Sequence, residues 1–159
     1  LNLKLQIRAN STATQPETYV RVLVLRDKQP ASGTVGPIYA DLFDFPQTLP
    51  ASGDSDQTRA TMALSMMTRR HTNNRIAGRF QWLYDRWFKV SNEAGTGHEV
   101  VTINKIINIF KPTHFGDLPS DGDRGPGQLY LYLISNEGKQ PTTAWPAVDW
   151  SSRLSFTDC

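Results

Sequence analysis

Apolar residues along this chain recur mostly at every second position, the period of a strand with one buried face. At its start Leu1, Leu3, Leu5 and Ile7 share one face and Asn2, Lys4, Gln6 and Arg8 the other, a half-buried strand over residues 1–10 that ends at a turn-rich stretch running to Pro16. Over residues 19–28 both faces are apolar, with Val20, Val22 and Val24 opposing Leu23 and Leu25, so this strand is expected at the centre of a sheet covered on both sides. Arg21 breaks one of those faces and requires a charged partner or a route to solvent.

Residues 31–78 are weakly patterned. They carry Gly33, Gly36, Pro37, Pro46, Pro50 and Gly53, and only residues 38–44 and 57–68 read as helical. Alternation then resumes. In residues 79–90, Phe80, Trp82, Tyr84, Arg86 and Phe88 alternate with Arg79, Gln81, Leu83, Asp85, Trp87 and Lys89. In residues 100–110, Val101, Ile103, Ile107 and Ile109 fall together, interrupted by Lys105. In residues 128–135, Leu129, Leu131 and Leu133 oppose Tyr130, Tyr132 and Ile134; in residues 152–158, Leu154 and Phe156 oppose Arg153, Ser155 and Thr157. Strands separated by long connections, with almost no helix, predict an all-β antiparallel sandwich.

Composition narrows this. A chain of 159 residues with 38% hydrophobic content can bury one core, so a single domain over residues 1–159 is expected. No apolar run is long enough to span a membrane, and the opening residues alternate where a leader would be continuously apolar. The single cysteine, Cys159, excludes an intrachain disulfide and a cysteine-rich metal site. The formal net charge is only +2, from 17 basic and 15 acidic side chains. Packaging nucleic acid requires many neutralised phosphates, so the charge for that task would have to lie outside this domain.

Catalytic chemistry finds no support in the spacing. His71, His98 and His114 are far apart, and neither a nucleophile elbow nor a phosphate-cradling glycine loop is present, so no catalytic residue and no cofactor is expected. Asp117, Asp121 and Asp123 form an acidic stretch that invites calcium, but the rest of a calcium-loop pattern is missing and a solvated turn is the better reading.

The order of motifs is more informative: Asn10-Ser-Thr-Ala-Thr14, Val20-Arg-Val-Leu-Val-Leu-Arg-Asp-Lys-Gln-Pro30, Arg79-Phe-Gln-Trp-Leu-Tyr-Asp85, Gly127-Gln-Leu-Tyr-Leu-Tyr-Leu-Ile-Ser135 and Ser152-Arg-Leu-Ser-Phe-Thr-Asp158. In that order they resemble the jelly-roll capsid proteins of the satellite tobacco necrosis virus-like group. Many circular single-stranded DNA viruses that encode a replication initiator have such proteins, and geminivirus and circovirus coat proteins are more distant relatives. The resemblance implies an eight-stranded viral jelly roll with strands lettered B to I, of which D to I correspond to the six segments above. Strands B and C and the basic arm of the family have no counterpart here, and a fragment is the expectation. Turns at residues 11–18, 91–99 and 137–149 would meet at a five-fold axis.

The implied function is a coat protein that self-assembles with identical subunits into a T=1 icosahedral capsid around a single-stranded genome, circular DNA being favoured over RNA. Its place would be the virion, and the nucleus or cytoplasm of an infected cell. Candidate genome contacts are Lys4, Arg8, Arg86, Lys89, Lys105 and Lys111, with Trp87 for base stacking; ordinary surface charges are the plain alternative. Candidate subunit contacts are Tyr39, Phe43, Phe45, Phe115, Trp145 and Trp150, large apolar anchors in or near loops, whereas Trp82 is expected in the core. The rival reading is a lectin-like jelly roll, since exposed tryptophans suit sugars too.

Overall fold

The computed structural model describes residues 1–10, 17–28, 42–43, 55, 78–91, 99–109, 127–136 and 146–155. Within them lie six strands: β1 (Asn2–Arg8), β2 (Glu17–Asp27), β3 (Phe80–Ser91), β4 (Val100–Ile106), β5 (Gln128–Ser135) and β6 (Ala147–Arg153). They form two antiparallel sheets of three strands, ordered β4-β1-β6 and β3-β2-β5.

The inner faces of the two sheets close on one another because β1 and β2 each bring an uninterrupted apolar row. Leu3, Leu5 and Ile7 from β1 and Ile103 from β4 pack with Val20, Val22 and Val24 from β2 and Val90 from β3; Leu131 and Leu133 of β5 seal the same core. At roughly 25 cal/mol per Å2 of apolar surface, each fully buried aliphatic here contributes about 1.5–3 kcal/mol before conformational entropy is subtracted. The second apolar face of β2 is also covered: Leu23, Leu25, Phe80 and Ile134 pack with Leu42 and Phe43. A strand apolar on both sides is thus central in its sheet, as its pattern requires.

The connections sort by length. The ends of β1, β3 and β5 and the starts of β2, β4 and β6 lie at one end of the sandwich, tied by the Ala9 amide to the Glu99 carbonyl at 3.0 Å and the Asn136 amide to the Tyr19 carbonyl at 3.2 Å. At the opposite end the two longer connections begin and finish, where the Lys28 amide donates to the Arg79 carbonyl at 3.0 Å and the Gly127 amide to the Asp27 carbonyl at 2.7 Å. Gly127 makes its turn at φ 96°, a left-handed conformation that a side chain would strain, so glycine is required immediately before β5.

Three expectations need correction. The last strand covers Ala147–Arg153 and pairs with β1, so Leu154 and Ser155 follow the strand and residues 147–149 belong to the ladder, not to a turn. The apolar pair Leu154 and Phe156 mimics an alternating strand, whereas the real one is an edge strand that leaves nearly every residue exposed. Strand β4 covers Val100–Ile106 and not residues 100–110; one further rung continues its register with β1, where the Ile107 amide donates to the Leu1 carbonyl and the Leu1 amine to the Ile107 carbonyl, both at 2.8 Å. In β3 the register shifts opposite Val24 and Leu25, with Val24 facing Tyr84 and Leu25 facing Trp82. Leu83 is the extra residue of a bulge. It moves Phe80 and Trp82 to the outer face, while Tyr84 and Phe88 point into the sandwich with Leu83. A strict alternation had joined all of these aromatics on one face. The expected helices over 38–44 and 57–68 lie outside the described residues, apart from Leu42 and Phe43.

Candidate nucleic-acid face and subunit surfaces

Antiparallel register decides which side chains share a face, since directly paired residues point the same way. On the outer face of the β4-β1-β6 sheet the rows are Asn2 with Ile106 and Arg153, Lys4 with Asn104 and Ser151, Gln6 with Thr102 and Asp149, and Arg8 with Val100 and Ala147. Lys4, Arg8 and Arg153 are exposed there against one carboxylate, Asp149, which accepts from Arg8 Nη2 at 2.6 Å. Both partners of that pair are half-exposed or more, so it constrains Arg8 only weakly. This face is polar and basic, with Ile106 and Val100 as apolar exceptions at 70% and 49% exposure.

The outer face of the β3-β2-β5 sheet is built differently. Arg21, buried to 3% exposure, donates from Nε to Asp85 Oδ1 and from Nη2 to Asp85 Oδ2, both at 2.7 Å. Its guanidinium also lies 5.1 Å from the Phe43 ring centroid and 5.8 Å from that of Trp87. Farther along, Asp27 is fully buried and receives Arg79 through Nη2 at 2.6 Å and Nε at 2.9 Å. Toward the other end Lys89 pairs with Glu17, whose carboxylate also accepts from the Tyr19 hydroxyl at 3.3 Å. The hydrogen bond from Lys89 holds the Glu17 carboxyl below its ordinary range, and the same contact raises Lys89. Burial raises the Tyr84 phenol on the inner side, partly offset by Arg86.

The expected genome contacts therefore do not form one patch. Lys4 and Arg8 sit on the outer face of one sheet, Trp87 and Lys89 on the outer face of the other, with the whole sandwich between them. Arg86 and Lys105 project on the inner sides of the edge strands β3 and β4, in register with Val22 and Leu3, yet are exposed because those strands end the sheets. Lys111 lies outside the described residues. Arg153 was missed as a member of the basic face, because its place beside Asn2 follows from the β1–β6 register.

Among the expected subunit contacts, Phe43 is corrected. It is 1% exposed and fills the second core, edge-on to Trp82 at 6.0 Å. Trp82 packs against that core, on the outer side of its sheet. Trp150 is 59% exposed, in register with Leu5 on the outermost strand β6. Tyr39, Phe45, Phe115 and Trp145, and the acidic residues Asp117, Asp121 and Asp123, lie outside the described residues. Among the described residues no group of three or more potential metal-ligating side chains comes together, and no helix is long and apolar enough to cross a membrane.

No protein-family model matches the chain, and neither a curated protein nor a solved structure matches it.

Proposed function

We propose that this chain is a jelly-roll capsid subunit that self-assembles into a small icosahedral shell around single-stranded nucleic acid. The observation that carries the reading is the pairing order. Strands β2 and β3 pair, β4 returns to lie beside β1, and β5 and β6 then add to the free edges of β2 and β1. The first four strands follow the Greek-key rule, in which the fourth lies beside the first, and the last two extend both sheets in the manner of a rolled hairpin. Two further strands, one beside β5 and one beside β6, would continue the same nesting. Those are the positions for strands C and B of the resembled family, which would bring the count to eight.

Two further observations favour a shell. Three connections leave the sandwich together at one end, as subunits meeting around a symmetry axis require. The exposed cations Lys4, Arg8 and Arg153 gather on one sheet face, so that face is assigned to the interior and to phosphate contacts that carry no sequence information. DNA is the cargo that the motif resemblance favours, and no catalytic role is assigned.

Negative-stain microscopy of the purified protein tests the reading: uniform closed particles are expected, and monodisperse monomers in assembly buffer would overturn it in favour of a lectin-like module. Nuclease treatment of intact particles, followed by extraction, separates DNA from RNA contents.

A further inference from the structure

The outer face of the β3-β2-β5 sheet carries a feature that shell assembly leaves unused. Trp87 is 46% exposed on a face where Phe43, Phe80 and Trp82 are drawn into the second core and Tyr19, Tyr130 and Tyr132 are half-buried. Its ring is supported from beneath by the Arg21 guanidinium, 5.8 Å from the centroid. Arg21 is itself held by two 2.7 Å hydrogen bonds to Asp85 and by Phe43 at 5.1 Å. The indole is therefore a flat apolar surface on a rigid base, so little freedom is lost when something stacks on it.

Charge identifies what that something is. The cations beside Trp87 on this face are already matched, Arg21 by Asp85 and Lys89 by Glu17. A nucleic-acid strand stacks on aromatics too, but it brings a phosphate with every base and gains affinity from unmatched cations. Among the described residues those lie off this face, at Lys4 and Arg153 on the opposite side of the sandwich and at Arg86 and Lys105 on the inner sides of the edge strands. A neutral ligand suits a neutral aromatic surface. The Glu17–Lys89 pair, one position along the same face, offers an acceptor and a donor to hydroxyl groups. A pyranose ring has both features required, an apolar C–H face and a rim of hydroxyls.

We propose that Trp87, with Glu17 and Lys89, forms a carbohydrate-binding site for a neutral pyranose, on the sheet opposite the basic face. The site stands on local geometry and does not depend on shell assembly.

Saturation-transfer NMR of the full chain tests it, with methyl β-galactopyranoside, methyl α-mannopyranoside and N-acetylglucosamine as neutral probes and a deoxythymidine oligonucleotide as the charged one. Transfer to ring C–H protons of at least one sugar is expected. It should fall about tenfold in Trp87→Ala, the loss of one aromatic stack, and be largely kept in Trp87→Phe. It should not change with added salt. The proposal is overturned if no sugar shows Trp87-dependent transfer, or if the oligonucleotide alone quenches Trp87 in a salt-sensitive way. Circular dichroism of Trp87→Ala, matching that of the parent, keeps a folding defect from being read as lost binding.

Discussion

Arg21 on β2 and Asp85 on β3 form a two-pronged pair, diagonal across the ladder, with both bonds at 2.7 Å and side-chain exposures of 4% and 10%. Burying two charges is costly, and removing one leaves the other without its counter-ion in a site that water barely reaches. Asp85→Ala is therefore expected to cost about 3–5 kcal/mol in urea denaturation, whereas Arg21→Met combined with Asp85→Leu recovers most of that loss. By contrast, Asp149→Ala at the exposed Arg8 pair should cost under about 1 kcal/mol. Equal costs at the two pairs would contradict the burial of Arg21.

The basic face predicts a salt signature. Each phosphate contact contributes roughly 0.7 to the slope of log affinity against log salt on single strands, so Lys4→Ala with Arg153→Ala should reduce that slope by about 1.4. Asp149→Ala releases Arg8 from its partner and should tighten oligonucleotide binding. Fluorescence anisotropy over a salt series measures both, and an unchanged slope would remove these residues from the proposed genome contacts.

The position of the last strand can be checked with proline. Alternate amides of β6 point toward β1, so one of the neighbouring variants Val148→Pro and Asp149→Pro must remove a ladder hydrogen bond. The loss expected is about 1–3 kcal/mol, from an unsatisfied carbonyl on β1. Ser155→Pro falls after the strand and should be nearly silent. The reverse pattern would restore a strand over residues 152–158.

Acid and alkali act on the Glu17–Lys89 pair in opposite ways. The lowered carboxyl stabilises the fold above its ordinary 4.5, and this contribution is lost as pH falls through its folded value. The raised ammonium contributes below its ordinary 10.5, and this is lost as pH rises through its folded value. Tyr84, raised from 10.0 by burial, likewise gives up stability only on the alkaline side. Thermal melts of Glu17→Gln should show a shallower acid limb, and those of Tyr84→Phe a shallower alkaline one. Both groups of the pair are exposed, so little should change at neutral pH.

Where apolar residues alternate and are buried, the strands could be read directly. Residues 2–8, 19–27 and 128–135 fall where Leu5, Val22 and Leu131 require them, and Arg21 was correctly identified as needing a partner. Its choice of Asp85 could not be read, because the pairing depends on register, and register in β3 depends on a bulge that leaves no mark in composition. Strand β6 was misplaced because the alternate apolar positions of Val148 and Trp150 carry on through Leu154 and Phe156, so that alternation marks a shared face but not where this exposed edge strand ends. The division of the cations between two faces escaped for the same reason: alternation tells which residues of one strand agree, but not which face of a neighbouring strand joins them.

Asp27 and Arg79 clasp the two ends of a connection of some fifty residues, and the Lys28 amide bonded to the Arg79 carbonyl closes the clasp. A stem secured at its base insulates the sandwich from the length of what it carries, since doubling a loop adds only about 0.6 kcal/mol of closure entropy. Foreign peptides grafted between Phe43 and the clasp should thus be displayed without loss of folding, which makes this connection the natural site for engineering the molecule.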